Sequence, residues 1–256
     1  MKKQSTNHTG NKSDSHSINS FKVIFDKAAY GNSYDKVFDD FLNICIATLT
    51  RNPATGLSYY EDEYMSVIEP YKANGTLKYF PQLFAELILF MEENKDNSQG
   101  NDLLGTFFEQ ELSRGANGQF FTPFHVCLMM AQITKDREVK PVNVLDSCCG
   151  SGRMLLALAK DSKFTHGYFG MDIDARCVKI TALNLFLNGL RGEVMCGDAL
   201  AVDDFKVGYK VSFSPLGIFK IENKEDSSIW HSQQLTYSSM KPTQQEKPPS
   251  PQLQLF

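Results

Sequence analysis

Three apolar runs, each closed by an aspartate and each twenty-six residues from the next, constrain this chain more than any other feature. Val144-Leu145 ends in Asp146, Tyr168-Phe169-Gly170-Met171 in Asp172, and Val194-Met195-Cys196-Gly197 in Asp198. That interval holds a strand, a crossover helix and the start of the next strand, so the pattern predicts successive βαβ units in a parallel sheet. Helical segments at residues 153–160 and 175–187 stand where the crossovers belong. The three carboxylates then fall side by side at the carboxyl ends of adjacent strands, where open α/β sheets bind ligands.

The first acid is followed by Ser147-Cys148-Cys149-Gly150-Ser151-Gly152. Gly150 and Gly152 let backbone approach a ligand closely, and the N-terminus of the next helix favours an anionic group such as a carboxylate. Asp172 is placed to accept the two hydroxyls of a ribose, Asp198 the exocyclic amine of a purine, and Asp146 to meet an ammonium. An amino acid joined to an adenosine satisfies all three demands, so the expected cofactor is S-adenosylmethionine. A dinucleotide calls for a fuller Gly-x-Gly-x-x-Gly turn, but Leu155 stands at its third glycine, and no Gly-Lys-Ser/Thr of a P-loop is present. A lone Gly-x-Gly is more often a tight turn, and a strand-end aspartate more often a helix cap. The shared register of the three acids carries the cofactor reading.

Asp102-Leu-Leu-Gly105-Thr-Phe-Phe-Glu109, Gly118-Gln-Phe-Phe-Thr122-Pro123, Asp146 to Gly152, Gly170-Met-Asp172-Ile-Asp174 and Gly197-Asp198-Ala-Leu200 occur in that order. Over residues 100–200 the chain resembles the modification subunits of type I restriction systems. These are adenine-N6 DNA methyltransferases of the gamma arrangement, with the cofactor half ahead of the catalytic half. The resemblance implies a Rossmann-like S-adenosylmethionine-dependent methyltransferase sheet, α/β in class and here incomplete, preceded by an N-terminal helical domain. It assigns Phe121, Thr122 and Pro123 to the methionine end of the cofactor, Asp146 and Gly150 to the amino-acid moiety, Asp172 to the ribose and Asp198 to the adenine, with Gly152 completing the cofactor-binding turn. It also implies DNA as substrate, held with partner subunits, and a bacterial cytoplasmic setting.

The family's Asn-Pro-Pro-aromatic motif, whose polar atoms hold the flipped adenine and whose ring stacks on it, is not intact. Tyr209-Lys-Val-Ser-Phe-Ser214-Pro215-Leu216-Gly217 stands in its place, after a poor fourth strand at residues 210–213. Ser214 and Pro215 are the degenerate catalytic candidates. Losing one oriented polar group at such a site costs roughly a hundred- to a thousandfold in rate, so catalysis by this chain alone is not expected. A reading from another class is a non-catalytic, cofactor-binding helper that recruits partners. An RNA or protein N-methyltransferase shares the cofactor fold, but the 102–123 signature disfavours it.

Composition sets the frame. The chain of 256 residues carries a net charge of −4. Residues 21–118 hold fifteen acids against eight bases, and residues 119–221 twelve bases against ten acids. No basic stripe exists to grip a DNA backbone unaided. Six cysteines show no Cys-x-x-Cys or metal-ligand spacing and read as reduced structural thiols, with no metal expected. No apolar run is long enough to span a bilayer.

Along the chain, residues 1–20 are polar and read as a disordered arm. Residues 21–118 form the helical domain: Tyr34, Val37, Phe38, Phe41, Leu42, Cys45 and Leu49 recur at helical spacing, as do Leu83, Phe84, Leu87, Ile88 and Met91. Residues 119–221 form the methyltransferase-like domain. Residues 222–256 are polar, proline-bearing and without periodicity, and read as a flexible tail. The tail ends in Gln252-Leu253-Gln254-Leu255-Phe256, which resembles the short peptide by which bacterial polymerases and repair proteins dock on the sliding clamp. In that reading Leu255 and Phe256 anchor and Gln252 hydrogen-bonds, with Leu253 part of the same partner-binding peptide.

Overall fold

The computed structural model describes residues 16–50, 55, 58–94, 101–113, 120–134, 143–162, 167–201, 203–212 and 217–240. Four helices open the chain: α1 (Ile18–Ala28), α2 (Tyr34–Leu49), α3 (Glu61–Ala73) and α4 (Tyr79–Asn94). The short α5 (Leu103–Phe107) runs into a π-helical turn, Phe108–Ser113, and α6 (Phe124–Thr134) follows. Then come β1 (Asn143–Asp146), α7 (Arg153–Ser162), β2 (Gly167–Asp172), α8 (Ala175–Leu187), β3 (Gly192–Cys196), β4 (Val207–Val211), β5 (Ile218–Ile221) and α9 (Ser228–Met240).

Local chemistry starts these helices where they start. Ser17 and Ser20 exchange side-chain and backbone hydrogen bonds as a capping box ahead of α1, so the polar arm ends at Ser17, short of the expected residue 20. Ser33 caps α2 and Asp174 caps α8 through the Lys36 and Arg176 N–H groups. On α4, Leu83, Leu87 and Met91 are buried, whereas Ile88 lies on the exposed side. The helical layer has no core of its own. Phe21, Phe25, Phe38, Phe41 and Phe107 belong to one continuous apolar cluster with Leu155, Val178, Leu183 and Val194 of the sheet unit.

The sheet order is β1-β2-β3-β4-β5. The first three strands are parallel, with Asp146 opposite Gly170 and Asp172 opposite Cys196, as the sequence pattern requires. The fourth strand departs from expectation. It is Val207–Val211, it pairs antiparallel with β3, and Val211 lies opposite Gly192 at the amino end of that strand. β5 then returns antiparallel to β4, with Gly208 opposite Ile221. Only a short loop links Asp198 to Val207, enough for a reversal and too little for the dozen or more residues of a parallel crossover.

The expected flexible tail also departs. Residues 222–240 fold: a single 3-10 turn (Lys224–Asp226) leads into α9, which lies across β3. Its start is held by Glu193 of β3, whose carboxylate accepts the Ser228 and Ile229 N–H groups at 3.0 and 3.1 Å and the Ser227 hydroxyl. Ile229 buries against Met171 and Met195, and Trp230 donates to Asp203 at 3.0 Å. The capping carboxylate comes from thirty-five residues upstream, which local composition cannot reveal.

Candidate functional site

The carboxyl ends of β1, β2 and β3 lie along one edge, and with them Asp146, Asp172 and, two residues past Cys196, Asp198. Gly150 adopts φ +54 and Gly152 φ +85, both in the left-handed region. The two glycines serve different ends. A Cβ on Gly150 would meet the Phe121 ring at 2.9 Å, so this glycine lets an aromatic cover lie on the turn. A Cβ on Gly152 would meet the Thr181 methyl at 3.0 Å, so this one lets α7 start close against α8.

Phe121, Thr122, Asp146 and Gly150 line one cavity of about 390 Å3, with Phe120 and Arg153. Asp172 and Asp198 do not line it; they continue along the same strand-end edge. Asp172 is tied to the turn directly, one oxygen accepting the Gly150 N–H at 2.9 Å and the other the Asp174 N–H at 2.9 Å. Asp198 accepts the Leu200 N–H at 2.9 Å. Each oxygen of a carboxylate has two lone pairs, so both side chains keep capacity for ligand hydroxyls or amines. Asp146 takes the Cys148 N–H at 3.2 Å. Burial, aided by the negative charge of Asp172, pushes the Asp146 carboxyl above its ordinary range, although the Cys148 N–H pulls the other way. A cation beside it would remove that penalty. This donor-seeking edge fits S-adenosylmethionine. Pro123 instead lines an adjoining cavity of about 600 Å3 with Phe124 and His125, and Phe121 and Arg153 form the wall shared by the two.

A buried seam that the sequence did not disclose fixes the glycine turn. Asp102 accepts from Ser151 Oγ at 2.6 Å, Arg153 Nε at 2.7 Å, Asn184 Nδ2 at 2.8 Å and the Gly105 N–H at 2.8 Å. Arg153 also reaches Thr106 Oγ1 at 3.1 Å and Glu109 at 3.3 Å. The other oxygen of Glu109 accepts the Phe121 N–H at 3.1 Å, and the Arg153 guanidinium lies 5.3 Å from the centre of the Phe121 ring. Glu109 sits in the π-helical turn, a geometry frequent at functional sites. Gly105 is required here, because a Cβ would stand 2.4 Å from that of Ser151. Thus Asp102 and Glu109 hold the glycine turn and its aromatic cover from the helical layer. Their spacing around a glycine was visible in the chain, but their partners were not.

Ser214 and Pro215 lie outside the described residues, as do Gln252, Leu253, Leu255 and Phe256. The residues that flank the catalytic candidates are placed, however. Ser212 donates its N–H to the Gly217 carbonyl at 3.1 Å, just past Val211 at the amino end of β3. β4 thus occupies Val207–Val211, where a poor strand at residues 210–213 was expected, and it runs away from the aspartate edge. Of the cysteines, Cys149 is buried under the turn, whereas Cys148 is exposed; all six are free thiols.

The family model described as N-6 DNA methylase matches residues 99–241. Two solved structures are similar in shape. A protein described as a class I S-adenosylmethionine-dependent methyltransferase, from Listeria monocytogenes, matches with 15% identity and a TM-score of 0.41, over 72% of this chain and 55% of that one. The methyltransferase subunit of a type I restriction-modification system, from Streptococcus thermophilus, matches with 19% identity and a TM-score of 0.36, over 73% and 44%. This chain thus spans about half the length of the solved structures it matches.

Proposed function

We infer, for a chain that belongs to the N-6 DNA methylase family, that it binds S-adenosylmethionine and forms the cofactor side of a DNA adenine-N6 methyltransferase. One observation carries this reading. Three strand-end aspartates share an edge with a left-handed glycine turn, and an aromatic side chain covers that turn.

In this reading Asp146 and the Gly150 turn hold the amino-acid end, Phe121 and Thr122 close over it, Asp172 accepts the ribose hydroxyls and Asp198 the adenine amine. The bound cofactor supplies an electrophilic methyl group on a sulfonium. The chain's own contribution is to orient that group and keep water from it beneath Phe121. Arg153 stays committed to Asp102 and Glu109, and so preserves the shape of the turn.

Holding the acceptor adenine is a separate task. β4 runs antiparallel to β3 and ends at Val211, opposite Gly192 and away from the aspartate edge, and the net charge is −4. Both facts favour a chain that needs partner subunits to grip DNA and complete transfer, or a non-catalytic helper that binds cofactor alone. Recruitment through the Gln252–Phe256 peptide belongs to the helper reading, and deleting it should abolish capture on a purified sliding clamp. A bacterial cytoplasmic setting accompanies both readings; among the described residues no helix is long and apolar enough to cross a membrane.

The test is calorimetric titration with S-adenosylmethionine, followed by labelled-methyl transfer to unmethylated DNA. Saturable binding lost in Asp172→Ala supports the cofactor assignment, and unchanged affinity in that variant overturns it. Transfer by the chain alone would overturn its dependence on a partner.

A further inference from the structure

A third cavity, of about 370 Å3, lies between the helical layer and the sheet, away from the aspartate edge. Asn43, Ile46 and Ala47 of α2 bound it, with Tyr60 and Glu63 at the start of α3, Lys179 of α8, and Tyr209 and Lys220 of β4 and β5. Two contacts hold its walls in place: Thr50 Oγ1 donates to the Ile218 carbonyl, and Tyr60 Oη accepts the Lys220 N–H. The small side chain of Ala47 leaves the space between them.

Three donors lining this cavity have no acceptor among the described residues. They are the Lys179 ammonium, the Tyr209 hydroxyl and the Tyr60 hydroxyl, whose oxygen is already used as an acceptor. The other charges around it are spoken for. Lys220 pairs with Glu222 at 3.2 Å and Glu63 at 3.4 Å, and Asp40 accepts from Lys36 and from Tyr71 Oη. Asp39 and Asp40 draw on the Lys179 charge from α2, yet neither comes within ion-pair distance. Burial lowers the Lys179 pKa against that attraction and raises those of both tyrosines, which keeps the phenols protonated as donors.

We propose that this cavity binds a small organic anion, with its oxyanion head on Lys179 and the Tyr60 and Tyr209 hydroxyls and its body against Ile46, Val67 and Tyr64. Burial penalises the Lys179 ammonium, the two phenols line the cavity without an acceptor, and an oxyanion offers several lone pairs at once. The apolar wall gives the body of such a molecule a place to bury, as in small-molecule sites generally. The volume admits a ligand up to about the size of a mononucleotide, and no macromolecular segment. Carboxylate and phosphate heads share this chemistry. Occupancy would bridge α2, α3, α8 and β4, and so brace the helical layer against the sheet.

The test is calorimetric titration of the full chain with benzoate, with AMP and with inorganic phosphate. Saturable one-site binding of benzoate identifies a carboxylate head, and of AMP a phosphate head; phosphate alone, lacking a body, should bind more weakly than AMP. Affinity should fall about tenfold or more in Lys179→Met and in Tyr209→Phe, the loss of one hydrogen bond to a charged group. Lys179→Met keeps the length of the side chain and removes an unpaired charge, so its melting temperature should equal or exceed that of the parent. If it does not fold, Tyr209→Phe decides. Saturation by neither organic probe below roughly 10 mM, or affinity unchanged in Tyr209→Phe, overturns the proposal. Asp172→Ala, which disables the other site, should leave this binding intact.

Discussion

The two edges of the sheet are finished to different degrees. At the β5 edge the helical layer supplies the missing partners: Thr50 donates to the Ile218 carbonyl, Tyr60 accepts the Lys220 N–H, and the Tyr59 ring packs edge-on to Phe219 at 5.4 Å. Gly217, at φ +93, brings the backbone so close that a Cβ would stand 2.2 Å from the Leu49 carbonyl oxygen. At the other edge, β1 pairs with β2 alone among the described residues, and Leu145 is 52% exposed. Met129, Met130 and Ile133 of α6, and Phe120 beside it, are exposed too. Parallel strands normally lie buried on both faces, and exposed edges are usually blunted or covered. The cavity holding Phe121, Asp146 and Gly150 opens beside the unfinished edge, while the finished edge carries none of the aspartates. Among the described residues, the edge beside the candidate site is thus the one that lacks a neighbour, as the proposed dependence on a partner requires.

The largest expected effect tests what holds the unfinished side in shape. Asp102→Ala strips the acceptor from Arg153, Ser151 and Asn184 in a site where the Asp102 side chain is only 4% exposed. Breaking one partner of a buried ion pair costs about 3–5 kcal/mol, measurable by chemical denaturation. Affinity for S-adenosylmethionine should fall with it, because the glycine turn loses its anchor. A variant as stable as the parent would mean that β1 and its turn stand without the helical layer.

On the finished side, Gly217→Ala forces a side chain into the left-handed region and against the Leu49 carbonyl. Strain and clash together should cost roughly 2 kcal/mol or more, again by denaturation, with cofactor affinity little changed. A loss of affinity equal to that in Asp102→Ala would erase the distinction between the edges.

How far the chain announced this arrangement depends on the range of the interaction. The parallel strands and both crossover helices were legible because apolar runs, acids and glycines recur locally; the second helix occupies Ala175–Leu187 as read, and the first runs two residues longer, to Ser162. The strand-end carboxylates followed from the same pattern. Pairing direction did not. A short strand such as Val207–Val211 looks the same parallel or antiparallel, and only the short loop after Asp198 betrays the reversal. α9 carries a local cap, Ser227, which accepts the Trp230 N–H at 3.1 Å, but the Glu193 carboxylate that holds its first N–H groups lies far upstream and was hidden. The Asp102–Arg153 seam was hidden because an acid on a helix start is usually a cap, and Asp102 is also that, for Gly105. What stayed illegible was the long-range polar contact, and such contacts shape both the candidate site and the sheet edge opposite it.

A third effect is smaller and of opposite sign. The Asp146 carboxyl titrates above its ordinary range when folded, so the folded state binds the extra proton between the unfolded and folded pKa values. Stability therefore falls as pH rises through that window. Asp146→Asn should raise the melting temperature at neutral pH, and the gain should vanish as pH drops below the ordinary carboxylate range. The same change should weaken binding of S-adenosylmethionine. A variant that melts lower at neutral pH would show that the unfinished edge is not strained by its own carboxylate.

The smallest effect on the isolated chain bears most directly on the contrast. Leu145→Lys replaces an exposed apolar side chain with one that water accepts, so stability should change by no more than about 0.5 kcal/mol. In a strand meant to stay at the surface, that is the whole consequence. In a strand that a partner covers, the lysine would have to be desolvated on assembly, and truncating or charging a buried interface residue commonly costs tenfold or more in affinity. The measurement pairs a thermal melt with methyl transfer to DNA in the presence of candidate partner subunits. An unchanged melt with lost complementation places the missing neighbour on β1. Unchanged complementation would mean that Leu145 belongs to a true surface, and that the chain meets its partners elsewhere.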